Sequence, residues 1–285
     1  MDIYLLRYFL AVVETGSFTK AAASCLITQP TLSQGIKRLE DSVGAPLFVR
    51  NNKRVFLTSE GVRFLPRAKA ILNECNLALS EIRAETQTLS LRLGILSTLS
   101  SVWVGRLIKG FRAHHSGVRF ELTEGSEQEI SNRLDERSLD YALSIRRVAE
   151  DACIDIYAEA YSLALSSQHE LAAQNVIRGE DLADQPMIVR TRCEVLSETS
   201  RHFTDRNVRP PLVYRTGFDE RALEMVAADL GVTLMPDSYH HDEVVRIPLS
   251  GFDYRRQIAL FLPRFRLSEN LAPMGEAFVR FCQTL

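Results

Sequence analysis

Residues 16–40 read GSFTKAAASCLITQPTLSQGIKRLE and govern the architecture of the first part of this chain. Ser17 is a good N-cap for a short helix. Thr28 or Gln29 can cap the next helix, with Pro30 at its start, where a missing N–H costs nothing. The alanines of the first segment let two helices approach closely. The stretch therefore predicts a helix, a tight turn and a second helix.

The second of these helices has an apolar side and a polar, basic side. Leu32, Ile36 and Leu39 share one face at 100° per residue. The opposite side carries the residue types that reach base edges and phosphates of DNA, namely Gln, Lys, Arg, Ser and Thr. This set is supplied by Gln29, Thr31, Ser33, Gln34, Lys37 and Arg38, and we also expect Ser17, Thr28 and Pro30 to contact DNA. On composition alone, a short helical hairpin with a solvated face is the alternative.

Two further elements complete this first domain. Apolar residues at helical spacing over residues 3–13 predict an amphipathic helix that Gly16 ends. Two β-prone runs at 47–50 and 54–57 flank an Asn/Lys turn and predict a hairpin, or wing. We expect the basic residues of this wing to bind flanking phosphates or the minor groove. They are Arg50, Lys53 and Arg54.

A long helical segment begins after Thr58 and runs to about residue 85. Its apolar residues repeat in alternating steps of three and four, as in a coiled-coil seam. At ~1.5 Å per residue the helix is about 40 Å long, too long to belong to the small first domain alone. A partner helix, and hence a dimer, is predicted; the alternative is an amphipathic helix on the core of its own domain. The seam residues are Leu65, Ala68, Leu72, Cys75, Leu79 and Ile82.

From residue 91 onward, short strands alternate with helices, which is typical of a mostly parallel sheet with covered faces. The length of this part allows two lobes. We expect strands at 91–96, 118–123, 140–145, 154–158, 161–166, 187–191, 212–216, 231–235 and 257–262. We expect helices near 101–113, 127–137, 193–206, 218–229 and 268–283.

Composition and charge agree with this organisation. The chain has 285 residues, 46% hydrophobic and 25% charged, which is globular composition and too long for one ordinary domain. Residues 1–58 hold seven basic and four acidic residues, net +3, whereas residues 91–285 hold 23 and 28, net -5. A basic first domain on an acidic body suits a domain that meets polyanions.

No membrane or export signal is evident in the sequence. There is no apolar run long enough for a transmembrane helix, and the N-terminal residues lack the features of a signal peptide. The five cysteines are scattered, which indicates free thiols in a reducing compartment. We therefore expect a cytoplasmic protein that makes no membrane contact.

Catalytic and metal-binding motifs give little support for an enzyme. Ser17 to Lys20 match the S-x-x-K of penicillin-recognising enzymes, but the partner motifs of those enzymes are absent. No P-loop, G-x-G-x-x-G, G-x-S-x-G, H-E-x-x-H or C-x-x-C occurs. The His114-His115 and His240-His241 pairs are poor metal ligands because neighbouring side chains point in different directions. We expect no enzymatic activity, no cofactor and no metal.

Residues 1–58 closely resemble the N-terminal domain of LysR-type transcriptional regulators. The resemblance rests on Phe9 and on five segments at fixed spacing. One departure is Gly35, where the family usually has a longer polar or charged residue, so that one possible DNA contact is removed. The segments are 16–22, 28–33, 36–40, 44–50 and 57–61, with weaker similarity at 94–95, 139–143 and 222–236.

The resemblance implies a multidomain α and α/β fold. It consists of a winged helix-turn-helix DNA-binding domain (1–58), a linker and dimerisation helix (59–89) and a two-lobed effector-binding domain like periplasmic binding proteins (90–285). Lobe I is expected to hold 90–160 and 263–285, and lobe II 161–262. Such a regulator binds operator DNA and a small, anionic effector as a homodimer or homotetramer, and we expect it to contact RNA polymerase.

In a two-lobed body the effector lies between the lobes, at strand ends and helix N-termini where N–H groups await an anion. Three loops and the Gly125-Ser126 turn fit this description. Hydroxyls after the first strand are one candidate, for which plain helix capping is the alternative. An arginine at 190 can clamp a carboxylate or form a salt bridge, and an aromatic at 218 can line a pocket or a core. The candidate effector-binding residues are Thr98, Ser100, Ser101, Ser126, Arg190, Thr191 and Phe218.

Two other functions remain open at this point. Some relatives sense peroxide through a cysteine pair, and Cys153 and Cys193 are candidates for such a pair. The charges of Arg190 and Arg192 would lower the pKa of the Cys193 thiol. The second alternative is a small-molecule binding protein without a DNA function, whose first domain mediates protein contacts only.

Overall fold

The computed structural model describes residues 2–51, 54–83, 90–147 and 152–285, with the main chain alone at 50, 51, 54, 77 and 80–83. The chain divides into two compact units. The first contains the N-terminal elements through the long helix, together with segments 131–140 and 263–265. The second contains the remaining residues.

The elements of the first unit are those expected from the sequence. Ser17 accepts a hydrogen bond from the Lys20 N–H, and Thr28 accepts one from the Thr31 N–H, each at 3.4 Å. Gly16 ends the first helix in the left-handed region, with φ +62°. The bounds are α1 (Ile3–Thr15), α2 (Phe18–Ser24), α3 (Gln29–Val43), β1 (Phe48–Asn51), β2 (Arg54–Leu57) and α4 (Ser59–Arg83).

The core of this unit is built from one face of each of these helices. Phe9 packs in it with its ring 5.2 Å from the Phe48 ring and 5.3 Å from the Phe64 ring. Leu32, Ile36 and Leu39 of α3 are completely buried. Because α3 uses its apolar side in this core, its polar side is left facing outward.

The second unit alternates strands and helices, as expected. Its strands are β3 (Ser90–Leu96), β4 (Arg119–Gly125), β5 (Tyr141–Ile145), β6 (Cys153–Ser166), β7 (Met187–Arg190), β8 (Leu212–Thr216), β9 (Thr233–Pro236), β10 (Val244–Ile247) and β11 (Arg255–Phe261). Its helices are α5 (Ser101–His114), α7 (Leu196–Asp205), α8 (Asp219–Ala227) and α9 (Ala272–Cys282); α6 (Glu127–Asp135) runs from this unit into the segment grouped with the first.

The larger sheet is mixed, with strand order β10-β6-β11-β5-β3-β4 and β9 also paired with β6. β3 runs parallel to β4 and β5, but β11 runs antiparallel to both β5 and β6. The prediction of a mostly parallel sheet is therefore wrong here. The reason is that β11, from late in the sequence, inserts between β5 and β6, which strand-helix alternation along the chain does not reveal. β7 and β8 form a separate parallel pair.

β6 is one continuous strand of 14 residues where the sequence indicated two. Glu159 interrupts its apolar pattern, but the chain stays extended there and pairs with β11, whose Arg256 donates a hydrogen bond to the Glu159 carboxylate at 2.8 Å. The first part of β6 pairs with β11, and the part from Tyr161 onward pairs with β9 and β10. β6 is thus shared by two groups of strands, and charged residues meet where it passes from one to the other.

Candidate DNA-binding surface and effector site

The outward side of α3 forms one continuous polar surface. The structure brings together on it, or next to its N-terminus, all the residues of 16–40 that the sequence singled out for DNA. Most are exposed, and Ser17 and Ser33 are partly exposed. The exposed members are Thr28, Gln29, Pro30, Thr31, Gln34, Lys37 and Arg38.

Local hydrogen bonds hold both ends of α3. At its N-terminus, the Thr28 and Thr31 hydroxyls lie 2.8 Å apart in addition to the cap. Near its C-terminus, the Glu40 carboxylate accepts hydrogen bonds from the Leu47 and Phe48 N–H groups at 2.8 and 3.2 Å. These bonds tie the helix to β1, so that the polar surface is presented by a rigidly held element.

Gly35 is buried and belongs to the contact between α1 and α3. A Cβ at this position would lie 2.7 Å from Cδ2 of Tyr8 and 3.4 Å from Cδ2 of Leu5. The close approach of the Tyr8 ring therefore requires glycine. In this chain, position 35 is used for helix packing and is not part of the exposed polar surface.

The wing is present as an antiparallel hairpin of β1 and β2. Its register pairs Arg50 with Val55 and Asn51 with Arg54. The side chains of Arg50 and Arg54, and all of Lys53, lie outside the described residues. Their expected contacts with DNA stay predictions.

The seam of α4 is divided between two environments. Ala68 is completely buried in the core of the first unit, and Leu65 and Leu72 pack against that core. Further along the helix, Cys75 is partly buried and Leu79 is 50% exposed. The side chain of Ile82 lies outside the described residues. The early part of the seam thus serves the core of its own domain, and the later part carries an exposed leucine.

In the second unit, the loop after β3 is held by a buried carboxylate. The hydroxyl of Thr98 donates a hydrogen bond to Glu194, whose other oxygen accepts one from the Tyr161 hydroxyl at 3.0 Å. Burial raises the pKa of the Glu194 carboxyl, but the Arg256 guanidinium and the Thr98 hydroxyl outweigh it, so that the pKa lies below its usual value. Ser100 is also buried. The Thr98 hydroxyl expected to receive an effector is therefore engaged with the protein, and Ser100 is buried beside it.

Arg256 is the centre of this network. Its guanidinium binds Glu159 and Glu194, each at 2.8 Å, and donates to the Thr98 carbonyl at 2.9 Å. All three charged side chains are at least nine-tenths buried. Since buried charges are tolerated only when paired, this cluster ties the loop after β3 to β6, β11 and the segment after β7.

Arg190 forms a second buried network. Its Nε donates to Asp219 at 2.8 Å, and its Nη1 donates to the Leu234 carbonyl at 3.0 Å. The Tyr239 hydroxyl also approaches Asp219, at 3.4 Å. The guanidinium expected to clamp an effector is thus bound to a carboxylate of the chain itself.

Cys193 lies beside Arg190 without being activated by it. Its sulfur accepts a hydrogen bond from Arg190 Nη1 at 3.5 Å. Burial raises the pKa of the thiol, and this outweighs the lowering by Arg190, whose charge is also balanced by Asp219. The lowering of the pKa by Arg190 that the sequence predicted is thus present, but it does not activate the thiol, because the partial burial of the side chain outweighs it.

The remaining candidate effector residues lie at the rims of these networks. The Ser101 N–H, at the start of α5, donates to the carboxylate of Glu220 at 3.0 Å. Thr191 donates to the Thr216 carbonyl at 3.1 Å. Phe218 is exposed, with the Arg221 guanidinium 4.9 Å from its ring centroid. These contacts bring the start of α5 next to the start of α8.

Ser126 is engaged locally at the start of α6. Its hydroxyl donates to the Glu129 carboxylate at 2.8 Å. The preceding Gly125 carbonyl accepts a hydrogen bond from the Ser97 N–H at 2.9 Å. The turn at 125–126 therefore adjoins the loop after β3, as the sequence predicted for neighbouring strand ends, while its hydroxyl serves as a helix cap.

Sequence reasoning missed the carboxylates and the arginine that dominate this region. Glu159 and Arg256 are each buried, but the residues on either side in the strand are exposed or half-buried, and Arg255 beside Arg256 is charged as well. No local pattern in the sequence therefore marks Glu159 or Arg256 as buried. Their pairing was not predictable either, because the two residues are 97 residues apart.

The chain matches two family models that together span nearly its whole length. Residues 3–62 match the bacterial regulatory helix-turn-helix protein of the lysR family, and residues 84–284 match the LysR substrate binding domain. The chain is a member of the LysR family. LysR-type proteins are DNA-binding transcriptional regulators with an effector-binding domain, and both parts are present here. The family consists of regulators and not of enzymes.

Individual LysR relatives cover most of this chain. The HTH-type transcriptional regulator YybE of Bacillus subtilis is 29% identical over 288 residues, covering 99% of this chain and 98% of that protein. A probable hydrogen peroxide-inducible genes activator of Mycobacterium avium is 32% identical over 240 residues, covering 82% and 77%. Full-length CbnR, solved in complex with its target DNA, has a TM-score of 0.64 at 19% identity and 99% and 100% coverage.

Within the described ranges, His, Cys, Asp and Glu side chains form no group of three able to hold a metal ion. Among the helices of those ranges, none combines the length and the apolar character needed to cross a membrane.

Proposed function

We propose that this LysR-family regulator reads its operator through the exposed polar side of α3. The observation that carries this proposal is the division of α3 into a fully buried apolar side and an outward side of Gln, Thr, Lys and Arg. Gln29 and Gln34 suit adenine, and Lys37 and Arg38 suit guanine or phosphate. The CbnR complex, a structural neighbour bound to its target DNA, supports this use of the domain.

Dimers would place two such helices in successive major grooves about 34 Å apart. The wing residues Arg50, Lys53 and Arg54 would bind flanking phosphates, without reading sequence. The net positive charge of residues 1–58 supports attraction to DNA. The exposed Leu79 supports α4 as the dimer contact, with further assembly to a tetramer.

The test is a salt-dependent binding measurement with full-length protein. A duplex is first selected from a random-sequence pool, and its dissociation constant is then measured at several salt concentrations. We expect a selected sequence and a log–log salt slope of several units, because several phosphates are neutralised. If no sequence is enriched and binding does not depend on salt, the protein is a small-molecule binding protein whose first domain does not bind DNA.

The effector proposed here is a small anion bound where α5 and α8 begin. Support comes from the Ser101 N–H, which already holds a carboxylate, that of Glu220. Glu220 is exposed, so an effector carboxylate can replace it at low cost. Of the candidate residues, Ser101, Thr191 and Phe218 are at the rim, whereas Thr98, Ser100 and Arg190 would shape the site from behind. An effector acts by binding one arrangement of the dimer more tightly than the other.

A thermal-shift screen of small carboxylates tests this site. The screen compares the wild-type protein with Glu220→Gln, in which the competing charge is gone. A true effector should give a larger shift with Glu220→Gln than with the wild-type protein at the same concentration. Equal shifts for both proteins would place the effector elsewhere.

Redox sensing is the second candidate, because the Mycobacterium avium relative is named a peroxide-inducible activator. The partial burial of Cys193 and its raised pKa stand against it. We further propose a cytoplasmic protein without enzymatic activity that contacts RNA polymerase. Its domains would be residues 1–58 for DNA binding, 59–89 for dimerisation and 90–285 for effector binding, with lobe II at 161–262.

A further inference from the structure

Leu26 occupies a backbone position that ordinarily belongs to glycine or asparagine. Its φ is +57°, in the left-handed region. The Ile27 N–H bonds to the Ala22 carbonyl at 3.0 Å, and the Leu26 N–H bonds to the Ala23 carbonyl at 3.1 Å. This pair of bonds is the Schellman motif that ends α2, and Leu26 stands at its left-handed residue. The turn between α2 and α3 therefore demands this backbone conformation from whatever residue is present.

Within the described part of the chain, a leucine side chain at this position gains almost no burial. The side chain is 93% exposed, more than any other large hydrophobic residue described. Its neighbour Ile27 supplies the apolar contact of the motif by packing on the core of the first unit. Glycine would adopt the conformation without a steric cost, and asparagine at a lower one. Leucine is thus unfavourable here for two reasons. Its backbone is in the left-handed region, and its apolar side chain is exposed to water.

The position lies beside the proposed DNA-reading surface. Leu26 is two residues before Thr28, the cap of α3, and three before Gln29. Three residues of extended chain span at most about 11 Å, which is less than the ~12 Å width of the major groove. When Gln29 reaches base edges, Leu26 is therefore close enough for its side chain to reach the same groove.

We propose that Leu26 is a specificity-determining residue that makes an apolar contact with a thymine C5-methyl group in the operator. The proposal rests on the DNA-binding function proposed above. The methyl group is the one apolar feature that bases present in the major groove, and it is the feature that an uncharged, branched side chain recognises. The contact would bury a side chain that the free protein leaves in water.

The experiment combines side-chain and base changes on one selected duplex. Leu26→Asn and Leu26→Gly are compared with wild type by fluorescence anisotropy, using the duplex that the full-length wild-type protein selects from a random pool. Each thymine is then replaced in turn by uracil, which removes only the C5-methyl group. The two variants should bind the duplex about 3- to 10-fold more weakly, with an unchanged salt slope because no charge is lost.

The uracil series identifies the contact. Replacement of one thymine should weaken wild-type binding by a similar factor and leave Leu26→Asn unaffected. Val43→Asn is the matched control, since it makes the same kind of change at the other end of α3, about 20 Å away. It should bind as wild type does. Urea unfolding should show Leu26→Gly and Leu26→Asn to be at least as stable as wild type, which excludes misfolding as the cause.

Two results would overturn the inference. One is binding by both variants within twofold of wild type. The other is a uracil series that weakens Leu26→Asn as much as wild type, or weakens neither. A wild-type protein that selects no duplex at all would instead refute the DNA-binding function itself, so the two failures are distinguishable.

Discussion

The Arg190 guanidinium and the Asp219 carboxylate form an ion pair in which each side chain is only 1% exposed. The pair joins the end of β7 to the start of α8, and Arg190 also reaches the Leu234 carbonyl of β9. Two charges so deeply buried are tolerable only together. Loss of one partner leaves the other in an apolar environment without compensation.

Arg190→Met should therefore destabilise the protein strongly, by about 3–5 kcal/mol. The measurement is urea unfolding followed by the fluorescence of Trp103, the single tryptophan of the chain. Trp103 packs on Tyr157 in the same unit, with ring centroids 5.0 Å apart. The double variant Arg190→Met with Asp219→Leu removes both charges and should recover a large part of the loss. A double variant no more stable than the single one would show that the unpaired carboxylate is not the cause.

Substitutions on α3 and on the wing should have different consequences. Lys37→Ala should reduce discrimination between the selected operator and single-base variants, by about 1–3 kcal/mol at one position. Arg54→Ala should weaken binding to all duplexes alike and reduce the salt slope by about one unit. Anisotropy titrations at several salt concentrations measure both effects. If Lys37→Ala retains wild-type discrimination at every position, α3 does not read bases through this residue.

The later part of the α4 seam should control assembly. Leu79→Lys places a charge at an exposed seam position and should give monomers by light scattering, because a charge cannot be buried between two helices without a partner. Asn76→Lys adds the same charge to an exposed position of the same helix outside the seam and should leave the dimer intact. A Leu79→Lys protein of unchanged mass would show that the seam is not the dimer contact. Leu72 is a poorer choice, since it packs on the core of its own domain.

Cys193 should not act as a peroxide sensor. Because its pKa is raised by burial, the reactive thiolate is scarcer at neutral pH than for a free cysteine, and it accumulates only as the pH rises above the ordinary thiol range. Hydrogen peroxide should leave the operator affinity of wild type unchanged, and Cys193→Ser should bind as wild type does. A peroxide effect that Cys193→Ser abolishes would restore the redox interpretation.

Much of the first domain was predictable because its structure is local. The caps at Ser17 and Thr28, the end of α1 at Gly16 and the two sides of α3 depend on residues within a few positions of one another, so spacing and residue type suffice. The requirement for glycine at position 35 was not predictable. It depends on the Tyr8 ring, which only the packing of α1 on α3 brings to it.

In the second domain, the elements were largely predictable from the sequence, but the contacts that form the site were not. Helical and strand periodicity located most elements from residue 90 onward, since each buries one face on a covered sheet. Periodicity did not predict that β11 inserts between β5 and β6, nor that Arg256 would meet Glu159 and Glu194. Hydroxyls and an arginine at strand ends indicated an anion site, but carboxylates of the chain itself accept hydrogen bonds from Thr98, Ser126 and Arg190.

Sequence spacing alone was therefore enough for the helix-turn-helix, its polar surface and the family, because those depend on short-range capping and on the 3.6-residue period. The folded structure was needed to find the pairing of buried charges, the strand order and the hydrogen bonds of Cys193, Arg190 and Thr98. They depend on which distant segments share a low-dielectric interior, where each charge needs a partner. For Arg190 and Arg256 those partners are 29 and 97 residues away along the chain.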